Sequence, residues 1–162
     1  VRWQNYTDAW QELPFATFYK NTIIITGLNI IGTLLSSSLA AFGFARMRFR
    51  GRDILFLIVL STMMLPGQVT MIPLYIIFAR LHWIDTFKPL IVPSWFAGAF
   101  NIFLLRQFFM TIPHDLDDAA LIDGASHFSI YWRIILPLSK MALGVVAIFA
   151  FTWNWNNSTE FF

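Results

Sequence analysis

Long stretches without charged side chains alternate with short polar connections along this chain. Asp, Glu, Lys and Arg are absent from residues 21–45, 54–79, 89–105 and 141–156. A helix needs about 20 apolar residues to cross the hydrocarbon core of a bilayer. The pattern therefore predicts an all-α membrane protein with four transmembrane helices, of which the third continues to about Phe109.

The longest polar interval, residues 113–137, separates the third and fourth predicted spans. It holds the largest group of acidic residues in the chain: Asp115, Asp117, Asp118 and Asp123. So many carboxylates belong in water rather than in lipid. Within this interval Ala119 and Ala120 leave part of the surface nearly bare, which lets the backbone of another protein approach closely.

Local signals in the same interval predict a helix, a tight turn and a second helix. Asp115 is expected to cap a helix over residues 116–123, with Asp118 in the capping-box position. Acidic residues in the first turn also suit the positive end of the helix dipole. Gly124 accepts the left-handed backbone conformation that ends a helix, and Ser126 is a favourable cap for the next one.

Basic residues predict the orientation of the chain. Four of them fall within seven residues between the first two spans: Arg46, Arg48, Arg50 and Arg52. The positive-inside rule places this loop in the cytoplasm. Alternation then puts residues 80–88 outside and residues 113–137 inside, so that seven basic residues lie inside and four outside.

Small side chains form a stripe along the first predicted span. Gly32, Ser36 and Ala40 recur every fourth residue, and a parallel row lies beside them: Ser37, Ala41 and Ala45. Such stripes allow helices to pack closely in lipid. We therefore expect this face to contact another span.

Composition agrees with a membrane protein and excludes several other classes. The chain is 57% hydrophobic and 12% charged, whereas soluble domains have about 25% charged residues. The formal net charge is +2, but the basic residues are scattered among apolar runs, so no nucleic-acid partner is expected. The absence of cysteine excludes disulfides and thiol chemistry.

Three polar residues inside the predicted spans are candidates for a solute pathway: Gln68, Asn101 and Asn154. Pro66 and Pro73 interrupt the second span and free backbone groups near Gln68, as transporters often do beside their pathway. A purely structural kink is the alternative for that region. For Asn101 the alternative is a hydrogen bond to a neighbouring helix.

Several short motifs in the polar interval match a known family. They are Asp118-Ala119-Ala120, Asp123-Gly124-Ala125 and Ile134-Ile135-Leu136-Pro137. Their residue types and spacings resemble the cytoplasmic coupling loop of ABC importer membrane subunits, with Asp118 where that family usually has glutamate. The resemblance implies that the first short helix docks on an ATP-hydrolysing subunit through Asp118, Ala119, Ala120, Asp123, Gly124 and Ala125.

Motifs outside the loop extend this resemblance over nearly the whole chain. They include Ala45-Arg46-Met47-Arg48-Phe49-Arg50-Gly51 after the first span and Ile72-Pro73-Leu74-Tyr75 in the second. These motifs are similar to those of the carbohydrate-importer permeases of the maltose type. The resemblance implies a type I ABC importer permease fold in the cell inner membrane. It also implies that residues 1–162 form a single permease domain without its first and last spans, with the coupling loop at residues 113–137.

The same resemblance implies a function and a set of partners. Such a permease forms half of the pathway for a sugar or related solute, and it has no cofactor of its own. Its expected partners are a dimer of ATP-binding subunits, a second homologous permease, a solute-binding protein on the outer side and membrane lipid. We expect the second short helix and Pro137 to pass the movement of the docked helix to spans three and four.

The sequence is also compatible with other functions. Within the importer interpretation, the solute is alternatively a sugar-alcohol phosphate or another small polar molecule; outside it, the chain is a non-ABC channel or scaffold. An enzyme is not expected, because the charge-free spans lack ionisable groups. Gly27 and Gly32 have the spacing that opens a phosphate-binding loop, but Thr33 follows instead of lysine. No metal site is expected from the spacing of His82, His114 and His127.

Overall fold

In the computed structural model, which describes Trp3 and residues 14–157, every regular element is helical. The longer helices are α1 (Phe15–Arg46), α2 (Arg52–Ser61), α3 (Gly67–Arg80), α5 (Ala99–Thr111), α6 (Asp115–Ile122) and α9 (Lys140–Asn157). The shorter elements are α4 (Lys88–Ile91), α7 (His127–Ile130), α8 (Leu136–Leu138), two 3₁₀ turns (Thr62–Met64, Val92–Phe96) and a π-helical turn (Tyr131–Ile135). The predicted all-α fold is confirmed for this part of the chain.

Helix α1 is the centre of the bundle. It has 32 residues, which corresponds to a length of about 48 Å, and it packs against α5, α9 and the Val92–Phe96 turn. Its buried positions recur mainly every fourth residue: Ile25, Asn29, Thr33, Ser37, Ala41 and Ala45. The predicted contact through the small-residue row is thus confirmed at Ser37, Ala41 and Ala45.

Gly32 permits the close approach of Trp95, and its substitution by alanine is expected to destabilise the bundle. The added Cβ would lie 2.5 Å from Trp95 Cδ1 and 2.7 Å from Cγ, so the ring must move as a whole. Overpacking of this kind costs about 1–3 kcal/mol and should lower the thermal midpoint of the purified protein. Gly27→Ala on the same helix is the matched control, because its Cβ meets no described atom within 4 Å. Equal midpoints for the two variants would contradict the prediction.

The second predicted span is sharply bent. Leu65 and Pro66 are extended, and the segments Arg52–Met64 and Gly67–Arg80 meet at 99°. Proline disfavours a helical conformation of the residue before it, which accounts for the break at Leu65. The predicted interruption is therefore confirmed at Pro66, whereas Pro73 lies inside α3 and does not end it.

The third predicted span is also discontinuous, whereas the fourth, residues 141–156, lies within the continuous helix α9. Ala97 has φ +52° and separates the Val92–Phe96 turn from α5. The segment that ends at Leu138 meets α9 at 79°. Phe15–Arg46 and Lys88–Thr111 are each long and apolar enough to cross a membrane, and the count rises to four if each bent pair is one span. The predicted number of four spans is therefore the maximum that the described residues allow.

Candidate functional site

The coupling loop, residues 113–137, forms the two expected helices, but the first begins differently from the prediction. The N-cap of α6 is His114, whose carbonyl oxygen accepts from the N–H groups of Asp117 (2.9 Å) and Asp118 (3.0 Å). No side chain caps this end. The predicted capping box of Asp115 and Asp118 is therefore wrong, because Asp115 is already the first helical residue. Its charge still favours the helix through the dipole.

The turn and the second helix begin as the sequence indicates. Gly124 has φ +82°, the left-handed conformation expected after α6. Ser126 caps α7, with its hydroxyl oxygen accepting from the N–H of Ser129 at 3.2 Å. Helical structure then continues through the π-helical turn to Leu138. The loop is thus built as a helix, a tight turn and a longer helix that leads into α9.

The six residues expected to contact an ATP-hydrolysing subunit divide into two groups. Ala120 and Ala125 are partly buried and pack against the hydrophobic core of the bundle. The others are exposed: Asp118, Ala119, Asp123 and Gly124. The surface that the loop offers to another protein therefore centres on these four.

One apolar side chain belongs to the same exposed surface and escaped the sequence analysis. Ile122 is 86% exposed, more than any other large hydrophobic residue of the loop. We call Asp118, Ala119, Ile122 and Asp123 the outer loop surface. The signal available in the sequence was the pair of large hydrophobic residues, Leu121 and Ile122, between Ala120 and Asp123.

Arg46 fixes the start of the coupling loop to the bundle. Its side chain is 2% exposed, and Nη2 donates to the carbonyl oxygens of Phe109 (2.8 Å) and Ile112 (2.7 Å). Nη1 lies 3.2 Å from Asp117 Oδ2 and 3.0 Å from His114 Nδ1. One guanidinium thus joins the ends of α1 and α5 to the start of α6. In the sequence, Arg46 served as an orientation signal and as part of a family motif, and these contacts were not predicted.

The second helix of the loop is also bonded to α1. Tyr131, in the π-helical turn, is 3% exposed, and its hydroxyl lies 2.8 Å from Ser38 Oγ. Phe42 packs against the same ring, with 5.3 Å between the ring centroids. The polar and aromatic contacts together seat the π-helical turn on α1.

A cavity of about 860 Å³ lies between α1, the Val92–Phe96 turn, α5 and α9. Two of the three candidate pathway residues, Asn101 and Asn154, line it, whereas Gln68 is exposed on α3 and does not. Its other polar lining residues are Asn29, Thr33, Ser94, Thr152 and Asn156, and its aromatic ones are Phe100, Phe149 and Trp153. No Asp, Glu, Lys, Arg or His stands among the described residues that line the cavity.

Asn29 joins α1 to three other elements at the cavity wall: α4, the Val92–Phe96 turn and α9. Its Nδ2 donates to Leu90 O at 3.0 Å and to Asn154 Oδ1, and its Oδ1 accepts from Ser94 Oγ at 2.9 Å. The side chain is almost fully buried, since Asn29 is 2% exposed. The sequence reasoning missed Asn29, because a single asparagine in an apolar run carries no signal of its partners.

The cavity meets α1 near the middle of the helix, at Asn29 and Thr33, whereas the coupling loop lies at its C-terminal end. Asn29 and Arg46 are 17 residues apart on this helix, which corresponds to roughly 25 Å. The Arg46–Asp117 contact also shows that the arginine-rich loop and the coupling loop lie at one end of the bundle, as the predicted orientation requires.

Comparison with known proteins gives the family. The family model for the binding-protein-dependent transport system inner membrane component matches residues 6–161. The chain is 36% identical over 157 residues to a probable ABC transporter permease protein of Pyrococcus horikoshii. It is 34% identical over 160 residues to the sn-glycerol-3-phosphate transport system permease protein of Yersinia enterocolitica. Each match covers 95% of this chain and 57% of the relative, so the chain spans little more than half the length of these proteins.

A solved structure shares the fold. It is a crystal structure of a bacterial ABC transporter involved in the import of the acidic polysaccharide alginate. The two chains superpose with a TM-score of 0.87 at 28% sequence identity, over 96% of this chain and 55% of that one. Because the family model also covers almost all of the sequence, this chain belongs to the binding-protein-dependent transport system inner membrane components, a family of transport permeases rather than enzymes.

Proposed function

We propose that this chain is the transmembrane permease subunit of an ABC importer, which forms half of the pathway for a sugar or related solute. ATP is hydrolysed by a separate subunit that docks on the coupling loop. The observation that carries the proposal is the outer loop surface. It exposes Ala119 and Ile122 to water while Arg46 and Tyr131 hold the loop on the bundle.

Energetic considerations favour docking through shape and apolar contact. Moving a two-state equilibrium from 1:99 to 99:1 needs about 5.5 kcal/mol, whereas an exposed ion pair contributes about 0.2–1 kcal/mol. Burial of about 300 Å² of helix surface gives roughly 7 kcal/mol before the costs of association. Ile122 and Ala119 therefore matter more for docking than the charges of Asp118 and Asp123.

The proposal also includes the wider assembly. The expected partners are a dimer of ATP-binding subunits, a second homologous permease, a solute-binding protein on the outer side and lipid. Residues 1–162 act as one permease domain in this assembly. The apolar residues of α3, none of which is buried among the described residues, are compatible with further contacts to protein or lipid.

The chemistry of the cavity bears on the solute. Its lining combines amide and hydroxyl groups with the aromatic rings of Phe100, Phe149 and Trp153. These groups suit a neutral polyhydroxylated molecule, whereas a phosphate group calls for arginine, lysine or a helix N-terminus. We therefore place Asn101 and Asn154 on a pathway for a sugar and keep a sugar-alcohol phosphate as the second candidate, because one relative is named for sn-glycerol-3-phosphate.

The proposed function is tested by ATP hydrolysis in the reconstituted transporter. The chain is assembled in proteoliposomes with its ATP-binding subunit, the second permease and the solute-binding protein. Addition of loaded solute-binding protein is expected to stimulate ATP hydrolysis and solute uptake together. A passive channel would instead release solute down its gradient without ATP, and a scaffold would do neither.

The predicted orientation can be checked with single cysteines, because the chain has none of its own. Met47 and Thr86 are both exposed and lie in the connections that follow α1 and α3. Met47→Cys is expected to react with an impermeant thiol reagent only from the cytoplasmic side of the membrane, and Thr86→Cys only from the outer side. Labelling of both from one side would contradict the predicted arrangement of spans.

A further inference from the structure

We infer that Arg46 is a positioning residue that fixes the coupling loop to α1, so that α1 carries the movement of the loop to the cavity. The inference rests on the proposed function, because the movement originates in an ATP-binding subunit. It adds a route through the first span to the expected route through Pro137 and spans three and four.

One face of α6 contacts the bundle, and the other is exposed. Asp117 is the buried residue of this helix, and it points its carboxylate at Arg46 (3.2 Å between Oδ2 and Nη1). Ala119 and Ile122 remain exposed for a partner. Asp118, the neighbour of Asp117, is also exposed. Of the two adjacent carboxylates, one is therefore bound to α1 and the other is open to solvent. A force applied to the exposed face therefore reaches α1 through a charge-assisted bond that is largely shielded from water.

A second contact makes the attachment resistant to rotation. Ser38 lies eight residues before Arg46 on α1, which corresponds to about 12 Å along the helix axis, and it bonds to buried Tyr131 of the second loop helix. A single attachment would act as a hinge. Two attachments at different heights, one to each helix of the loop, make the loop and α1 move together.

The middle of α1 reaches the cavity. Asn29 bonds from α1 to Leu90, Ser94 and Asn154, which belong to the third and fourth spans. Helix α1 is continuous from Phe15 to Arg46, whereas the path from the loop into α9 crosses the 79° bend. The uninterrupted helix is therefore the stiffer connection between the loop and the cavity.

The test uses the complete reconstituted transporter and the variants Arg46→Met, Asp117→Asn and the double substitution. Solute uptake per ATP hydrolysed, normalised to assembled transporter, is expected to fall at least about fivefold in each single variant. The double variant is expected to be no worse than Arg46→Met, because both changes remove one interaction. Arg46→Lys, which keeps the charge, should recover part of the loss. Arg50→Met is the matched control, because Arg50 is an exposed arginine in the connection between α1 and α2. This variant should keep the uptake-to-ATP ratio of the unmodified transporter.

The alternatives give different results. An unchanged uptake-to-ATP ratio in Arg46→Met would overturn the inference. A reduced amount of transporter with a normal ratio would overturn it too, since this is the signature of a merely structural ion pair. If Arg46→Met does not accumulate in the membrane, the uptake-to-ATP ratio of Asp117→Asn is measured instead. An unchanged ratio in that variant would likewise overturn the inference. Failure of the unmodified transporter to hydrolyse ATP in response to its solute-binding protein would instead overturn the proposed function.

Discussion

Replacement of Gly124 by valine is expected to separate ATP hydrolysis from solute import while the chain still inserts in the membrane. Gly124 has φ +82°, a conformation that costs other residues about 1–2 kcal/mol and β-branched residues more. An added Cβ meets no described atom within 4 Å, so the effect arises from the backbone and not from a clash. The strained turn would displace α7 relative to α6 and distort the outer loop surface. Uptake per ATP hydrolysed in proteoliposomes should fall about tenfold or more.

The matched control for this variant is Gly124→Asn, because asparagine tolerates the left-handed conformation. This variant is expected to retain an uptake-to-ATP ratio within about twofold of the unmodified transporter, since its turn keeps its shape. Normal coupling in Gly124→Val would show that the shape of the turn does not matter and would contradict the docking role of the loop.

Replacement of Asn29 by leucine is expected to have the largest effect on stability. The change leaves Leu90 O, Ser94 and Asn154 without their shared partner. Each buried polar group without a partner costs about 1–3 kcal/mol, so a total loss of roughly 3 kcal/mol is expected, which corresponds to a drop of about 10 °C in the thermal midpoint. Thermal unfolding of the purified protein in detergent measures this change.

Asn101→Leu is the control at the same cavity. Asn101 lines the cavity but is not part of the Asn29 network, so its replacement should alter solute transport with little change in the thermal midpoint. Equal midpoints for Asn29→Leu and the unmodified protein would contradict the bridging role of Asn29.

The elements of this fold were predictable where local physics decides them. Charge-free runs located the apolar helical segments, the conformational freedom of Gly124 located the turn, and Ser126 located the second loop helix. The capping box at Asp115 failed because several acidic residues compete for the first turn of α6, and spacing alone does not say which of them lies outside the helix. Likewise Pro66 and Pro73 look alike in the sequence, but only the break at Pro66 is seen in the structure.

Contacts between residues far apart in the sequence could not be predicted from it. Arg46 and Asp117 are separated by 71 positions, and each has a sufficient local explanation as an orientation signal or a helix-dipole charge. Asn29 and Asn154 are 125 positions apart. Motif spacing predicted which loop is offered to a partner, but exposure was needed to divide it into the anchoring residues Ala120 and Ala125 and the outer loop surface.

Cross-linking shows whether the outer loop surface lies against an ATP-binding subunit. Because the chain lacks cysteine, Ala119→Cys can be modified with a photoactivatable thiol reagent in the assembled transporter, with Thr86→Cys, on the predicted outer side, as the control. We expect a cross-link from position 119 to the ATP-binding subunit and none from position 86. If position 119 gives no such product and instead reacts with an impermeant reagent from outside sealed cells, the coupling loop does not dock on an ATP-binding subunit.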